Sequence, residues 1–165
     1  MGTRSTIALE FADGTIGQVY CHWDGYLAYN GEILLASYTD PYKLRELIDH
    51  GDLSSLGADI GEKHEFSNPH TYGTPEFNIW NEEKRGVCTF YIRDRSEEGC
   101  EARYFNDYDE HFLVDGQEEA YDYILRTDGN WYVSDHGGDF VLLTEAIAKE
   151  NALHEQEMLG YPTHG

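Results

Sequence analysis

The densest group of chemically capable side chains lies in residues 20–26, which read Tyr-Cys-His-Trp-Asp-Gly-Tyr. His22 and Asp24, two positions apart, could act as a base and the carboxylate that orients it, or as two metal ligands. The pattern is short, however, and both side chains could instead satisfy backbone groups at the end of a strand that Trp23 anchors in the core. The sequence is compatible with either interpretation.

Two strands should position this group. Apolar residues alternate with others in residues 5–11 and again in residues 16–23, and the apolar positions are Ile7, Leu9, Phe11, Val19, Cys21 and Trp23. All of them have odd numbers, so a hairpin that keeps them on one face needs a loop with an odd number of residues. We expect a three-residue loop with Gly14 in the left-handed region.

The opposite face of this hairpin should gather polar side chains. Residues two apart on a strand point the same way, which would let His22 meet Asp24 but not Cys21. Burial on the apolar face would raise the thiol pKa of Cys21, so a cysteine nucleophile is disfavoured. The candidate ligand-binding residues are Arg4, Tyr20, His22, Trp23, Asp24 and Tyr26. No residue is assigned to catalysis or to a metal, and no cofactor is implied.

The order of the elements predicts an α+β fold, with an antiparallel sheet built from hairpins, two helices after the first hairpin and a C-terminal helix. One globular domain is expected over 1–165, with an irregular excursion at 61–85 and a frayed tail at 159–165. The further predicted elements are helices at 30–38 and 41–50, a hairpin of 87–93 with 101–105, a short helix within 106–115, a hairpin of 120–126 with 131–134, and a helix at 140–158.

Charge is the strongest global signal, because 32 acidic residues against 11 basic ones give a formal net charge of −21. Such a surface repels phosphate backbones, so direct binding to nucleic acid is disfavoured. The acidity could keep the chain in solution, bind a partner with a basic face, or bind divalent cations, although no calcium-loop spacing is present. Residues 97–128 carry 11 of the carboxylates.

The three cysteines, Cys21, Cys88 and Cys100, are an odd number without CxxC spacing. Reduced thiols in a cytoplasmic protein fit this pattern better than disulfides or a zinc site. No apolar run is long enough to span a bilayer, so no membrane association is expected.

A wider pattern comprises Thr3 to Ala8, Val19 to Tyr26, Lys43 to Leu47, Gly51 to Gly57 and Gly61 to His64. It resembles a family of small proteins from bacteriophage and bacterial genomes, specifically over the first 65 or so residues and loosely beyond them. The resemblance implies a viral protein that acts in the bacterial cytoplasm. It carries over no catalytic residue.

Three functions are compatible with these observations. The first is a phage-type accessory protein that binds and inhibits or redirects a host component, such as one of antiviral defence, through an acidic, tyrosine-rich surface. The second is a sponge that sequesters a nucleotide-like signalling molecule around residues 20–26, with Arg4 on its phosphate. The third is a small hydrolase or nucleotide-processing enzyme that uses His22 and Asp24. We favour a protein that is not an enzyme.

Overall fold

An eight-stranded sheet with six α-helices is formed by residues 3–158, which are the residues that the computed structural model describes. The predicted tail at 159–165 lies outside them. In chain order the elements are β1 (Ser5–Glu10), β2 (Ile16–Cys21), α1 (Glu32–Ser37), α2 (Pro41–Asp49), β3 (Leu53–Ser55), α3 (Pro75–Lys84), β4 (Thr89–Phe90), α4 (Tyr91–Arg95), β5 (Arg103–Phe105), α5 (Leu113–Asp115), β6 (Tyr121–Leu125), β7 (Trp131–Asp135), β8 (Val141–Leu142) and α6 (Leu143–Met158).

The hairpin of β1 and β2 has the predicted register. Ile7 lies opposite Val19, so the odd-numbered positions share one face. The amide of Phe11 donates a hydrogen bond of 2.8 Å to the carbonyl of Thr15, which leaves a loop of three residues. Gly14 in this loop has φ of 92°, a conformation that suits glycine because it has no Cβ. The predicted loop is therefore confirmed.

The sheet is mixed, and the prediction of an antiparallel sheet is wrong for two strand pairs. The strand order is β4-β3-β2-β1-β6-β7-β8, with β5 also paired to β2. β1 runs parallel to β6, and β2 runs parallel to β3. A parallel neighbour needs a long connection, which α1 and α2 supply between β2 and β3. Short hairpins alone could not predict the β1–β6 pair, because more than 100 residues separate its strands.

Two helices do follow the first hairpin. A π-helical turn, Leu27–Gly31, precedes α1, and α2 begins at its predicted proline. Asp40 caps α2, since its carboxylate accepts a hydrogen bond of 2.9 Å from the amide of Tyr42. The buried residues of α2 are Leu44, Leu47 and Ile48.

The middle of the chain differs most from prediction. The expected irregular excursion at 61–85 contains α3, which Thr74 caps and in which no residue is buried. The expected hairpin of 87–93 with 101–105 is not formed. Instead β4 pairs with β3, and β5 pairs with the edge of β2 that faces away from β1. The chain turns into α4 directly after Phe90, so residues 91–93, which were expected to continue the strand, are helical instead.

The last part of the chain follows prediction more closely. β6 and β7 form the hairpin expected around Gly129. The expected short helix is a π-helical turn, Tyr108–Phe112, that continues into α5; Phe112 is buried, whereas Leu113 is exposed. α6 buries Leu143 but leaves Leu153 exposed, so mainly its first turns cover the sheet.

Apolar side chains cover both faces of the sheet. The main core lies on the odd-numbered face of β1 and β2, where it includes Ile7 and Val19 together with residues from α1, α2 and α6. A smaller core of Ala8, Ile16, Phe112 and Ile124 lies on the other face. The even-numbered face is therefore only partly available for polar side chains.

Candidate functional site

One end of the sheet carries the predicted ligand-binding residues. β1 and β6 are parallel and begin at this end, whereas β2 and β7 are antiparallel to them and finish there. The amide of Tyr121 donates to the carbonyl of Arg4 at 3.4 Å, and the amide of His136 donates to the carbonyl of Ala120 at 2.7 Å. Residues next to four strands therefore meet at this end of the sheet.

The chain turns away from the sheet at Asp24 and Gly25. Asp24 has φ of 58°, which aspartate tolerates better than most residues. The amide of Gly25 donates a hydrogen bond of 2.7 Å to the carbonyl of Thr3. A Cβ atom on Gly25 would lie 2.7 Å from the Cβ of Ser5, so this close approach requires glycine.

No hydrogen bond or ion pair joins His22 and Asp24 within the described residues. Nδ1 of His22 and the hydroxyl of Tyr20 form a hydrogen bond of 2.8 Å. The rings of His22 and Trp23 pack edge to face, with their centroids 4.7 Å apart. Asp24 lies beyond the end of β2 in the left-handed region, where strand alternation no longer sets the direction of its side chain.

Trp23 is not the core anchor that strand alternation predicts. Its side chain is 42% exposed. The reason is that β2 ends at Cys21, so the regular alternation stops two residues earlier. The buried tryptophan of the main core is Trp131 in β7.

A cavity of about 450 Å³, the Arg4 cavity, opens at this end of the sheet. Two predicted ligand residues, Arg4 and Tyr26, line it, whereas Tyr20, His22 and Trp23 form a separate group beside it. The other lining residues are Thr3, Glu119, Ala120, Tyr121 and His136. The structure thus divides the predicted ligand-binding residues rather than uniting them.

Charges couple the cavity to the group beside it. Burial raises the pKa of Glu119, while the nearby charge of Arg4 acts in the opposite direction. Burial likewise raises the pKa of the Tyr20 hydroxyl, again against the effect of Arg4. Arg4 is exposed and forms no ion pair with any residue of 3–158, so its guanidinium could bind an anionic group.

A buried carboxyl group lies under this end of the sheet. Asp122 in β6 accepts a hydrogen bond of 2.6 Å from the hydroxyl of Thr6, and weaker ones from the amides of Glu118 and Glu119. Burial raises its pKa to about 6. Its Oδ2 has no hydrogen-bond partner within the described residues. This polar group therefore carries an uncompensated desolvation cost.

Burial raises the pKa of all three cysteine thiols, so the described residues offer no activated cysteine. Cys21 is fully buried, and burial raises its thiol pKa to about 12, as expected for the apolar face.

A group of possible metal ligands lies elsewhere in the fold, where ligand atoms of Asp107, Glu110 and His111 lie within 4.8 Å of one another. Asp107 there accepts a hydrogen bond from the Glu110 amide, which accounts for its position without an ion.

Sequence reasoning missed five of the lining residues, of which Glu119, Tyr121 and His136 carry titratable or aromatic side chains. They reach the Arg4 cavity because β6 pairs with β1. The run Tyr121–Leu125 predicts a strand, but the charged Asp122 within it removes the continuous apolar pattern that would indicate a central, parallel position. Its alternation alone does not identify its neighbour.

Comparisons of this chain with protein-family models, with curated proteins and with solved structures gave no significant match. Within residues 3–158, none of the helices combines the length and the apolar character that crossing a bilayer requires.

Proposed function

We propose that this chain is a phage-type accessory protein that acts in the bacterial cytoplasm, where it binds a host protein with a basic face and inhibits or redirects it. A component of antiviral defence is the kind of host target that the resemblance to bacteriophage proteins suggests. The observation that carries the proposal is a surface of exposed, mostly unpaired carboxylates around an exposed tyrosine.

Residues 97–128 carry these carboxylates, and Glu101, Asp109 and Glu110, which lie beside β5 or in the turn that contacts it, form what we call the acidic surface. Eight carboxylate side chains of residues 97–128 are exposed: Glu97, Glu98, Glu101, Asp109, Glu110, Asp115, Glu118 and Asp128. Of these eight, only Glu97 and Glu118 form ion pairs, with Arg95 and Arg103. The remaining charges are free to attract a basic partner and to speed its association.

Tyr104 supplies an aromatic anchor within the acidic surface. It is the central residue of β5 and is 62% exposed, while its neighbours on the strand are half-buried. β5 lies against the turn of Tyr108–Phe112, so the tyrosine and the carboxylates of that turn belong to one region. Tyrosine provides contact area at low entropic cost and is enriched among residues that dominate binding energy.

The proposal is tested by affinity capture from bacterial lysate with matched variants. A triple variant, Glu101→Gln, Asp109→Asn and Glu110→Gln, removes three charges from the acidic surface. A control triple, Glu62→Gln, Glu65→Gln and Glu83→Gln, removes three exposed charges elsewhere. We expect the wild type and the control to capture the same basic protein at low salt, and the first triple to lose it.

Tyr104→Ala should weaken capture by about tenfold or more without lowering the melting temperature, since its side chain is mostly exposed. Capture should also decline as salt is raised, because salt screens exposed charges. Failure to recover any partner at low salt, or equal loss in both triple variants, would contradict the proposal.

The Arg4 cavity favours a second candidate, a sponge for a nucleotide-like signalling molecule. Arg4 could bind a phosphate, and Tyr26 and Tyr121 offer aromatic surface for a base. Its volume lies within the range of small-molecule sites. Protein purified gently from bacteria should then release a nucleotide on denaturation, and Arg4→Gln should abolish that retention; an empty wild type would argue against a sponge.

The hydrolase alternative has no comparable support. His22 is hydrogen-bonded to Tyr20 rather than oriented by Asp24. We therefore make no proposal of catalysis by these residues.

A further inference from the structure

A second cavity, the Arg45 cavity, lies at the opposite end of the sheet, where β1 ends and β6 turns into β7. It measures about 470 Å³, within the range of small-molecule sites. The residues that matter for its chemistry are Leu9, Phe11, Tyr42, Arg45, Leu125 and Arg126. We propose that this cavity binds a small ligand that combines a planar aromatic ring with one anionic group.

The lining carries a net positive charge although the chain as a whole is strongly acidic. Its charged residues are Glu10, Arg45 and Arg126. Glu10 and Arg126 neutralise each other through two hydrogen bonds, of 3.1 and 3.2 Å. Burial raises the pKa of Glu10, but hydrogen bonds from Arg126 and Thr127 more than offset this, so its pKa is lowered and the carboxylate stays charged. Arg45 is therefore left as the charge available to a ligand.

Arg45 is held in position without using its hydrogen-bond donors. The centre of its guanidinium lies 5.2 Å from the centroid of the Phe11 ring, which is a cation–π contact. Arginines that form ion pairs within residues 3–158 include Arg85, Arg95 and Arg126, but not Arg45. A planar guanidinium with free donors suits bidentate binding of a carboxylate, sulfonate or phosphate.

The rest of the lining suits a flat apolar body. Leu9, Phe11 and Leu125 provide apolar walls, and Tyr42 on the first turn of α2 is 84% exposed at the rim. Aromatic rings favour stacked or edge-on contacts with such side chains. Of the nearby carboxylates, Glu10 is paired with Arg126, and Asp13, which lines an adjoining cavity with Arg45, accepts hydrogen bonds from Thr15. The repulsion of an anion by more distant carboxylates is screened beyond about 8 Å at physiological salt.

The test uses two fluorescent probes that differ by one anionic group. The anionic probe is 8-anilinonaphthalene-1-sulfonate, and the neutral probe is N-phenyl-1-naphthylamine. The variants are Arg45→Gln and the control Arg85→Gln, which replaces an exposed arginine directly after α3. Both variants lower the net charge by one, so they change the long-range potential of the protein equally.

We expect Arg45→Gln to weaken binding of the sulfonate about tenfold or more, with little effect on the neutral probe, and Arg85→Gln to leave both unchanged. Tyr42→Ala should weaken both probes severalfold, and benzoate should displace the sulfonate from the wild type. Equal sulfonate affinity in the two arginine variants, or no sulfonate binding by the wild type, would overturn the proposal. An equal loss of both probes in Arg45→Gln would show that the site does not select an anion.

Discussion

The two ends of the sheet hold cavities of nearly equal volume, but they differ in how their side chains are held. At the Arg4 cavity, an exposed arginine lies near Glu119, whose pKa is raised by burial, and Oδ2 of the buried Asp122 has no hydrogen-bond partner within the described residues. At the Arg45 cavity, the carboxylate of Glu10 is fully engaged by Arg126. The Arg4 end therefore has a buried carboxyl oxygen without a hydrogen-bond partner in the described residues. At the Arg45 end, Glu10 and Arg126 form an ion pair, and Arg45 forms none within the described residues. A run of polar and aromatic residues in a sequence, such as residues 20–26, therefore does not by itself identify the site whose side chains have the more complete set of partners.

The largest expected difference between the two ends concerns their tryptophans. Trp131, at the Arg45 end, is 2% exposed, and its indole N–H donates a hydrogen bond of 3.0 Å to the carbonyl of Tyr38. Trp131→Ala should therefore lower the free energy of unfolding by about 3–5 kcal/mol. Trp23→Ala should lower it by only about 1 kcal/mol, because that side chain is 42% exposed. Urea unfolding measures both, and equal losses would mean that Trp23 is a core residue after all.

Two glycines give the next largest contrast. A Cβ on Gly25, at the Arg4 end, would lie within 2.9 Å of the Thr3 carbonyl oxygen, so Gly25→Ala should cost about 2–3 kcal/mol of stability. Gly129 lines the Arg45 cavity with φ of 85° and open space around it. Gly129→Ala should cost about 1 kcal/mol, from backbone strain alone. Thermal unfolding that ranks the two variants in the reverse order would contradict the close packing at the Arg4 end.

Sequence reasoning predicts local structure well here and distant pairing poorly. The parity of apolar residues in 5–11 and 16–23 determines the register and the loop of the first hairpin, because both depend on neighbouring residues. Trp23 was misplaced because parity holds only while the strand continues. Glu119 and Arg126 reach the two cavities through the β1–β6 pair, and no local pattern identifies a partner more than 100 residues away.

Asp122, at the Arg4 end, should make the folded protein less stable as pH rises. Its pKa is raised from an ordinary value of 3.8 to about 6, so the folded state favours the protonated form. That stabilisation is present below pH 3.8 and is lost as pH rises through about 6. Asp122→Asn should thus increase the free energy of unfolding by about 1–2 kcal/mol at pH 8 and change it little at pH 4. A pH-independent effect of the substitution would show that Asp122 does not titrate in this range.

Glu10 should have the opposite pH dependence at the Arg45 end, with a smaller effect. Its pKa is lowered from 4.5, so its stabilising contribution is present above pH 4.5 and is lost as pH falls through the lower folded value. Glu10→Gln should cost about 1 kcal/mol at pH 7, where Arg126 loses its ion pair, and less at pH 3. The matched control is Glu82→Gln, since Glu82 is an exposed carboxylate that pairs with Arg85 and does not line the Arg45 cavity. If only Glu10→Gln also changes how tightly the anilinonaphthalene sulfonate binds, then the charge of Arg126 is normally masked by Glu10, and Arg45 alone provides the cation that the wild-type cavity offers.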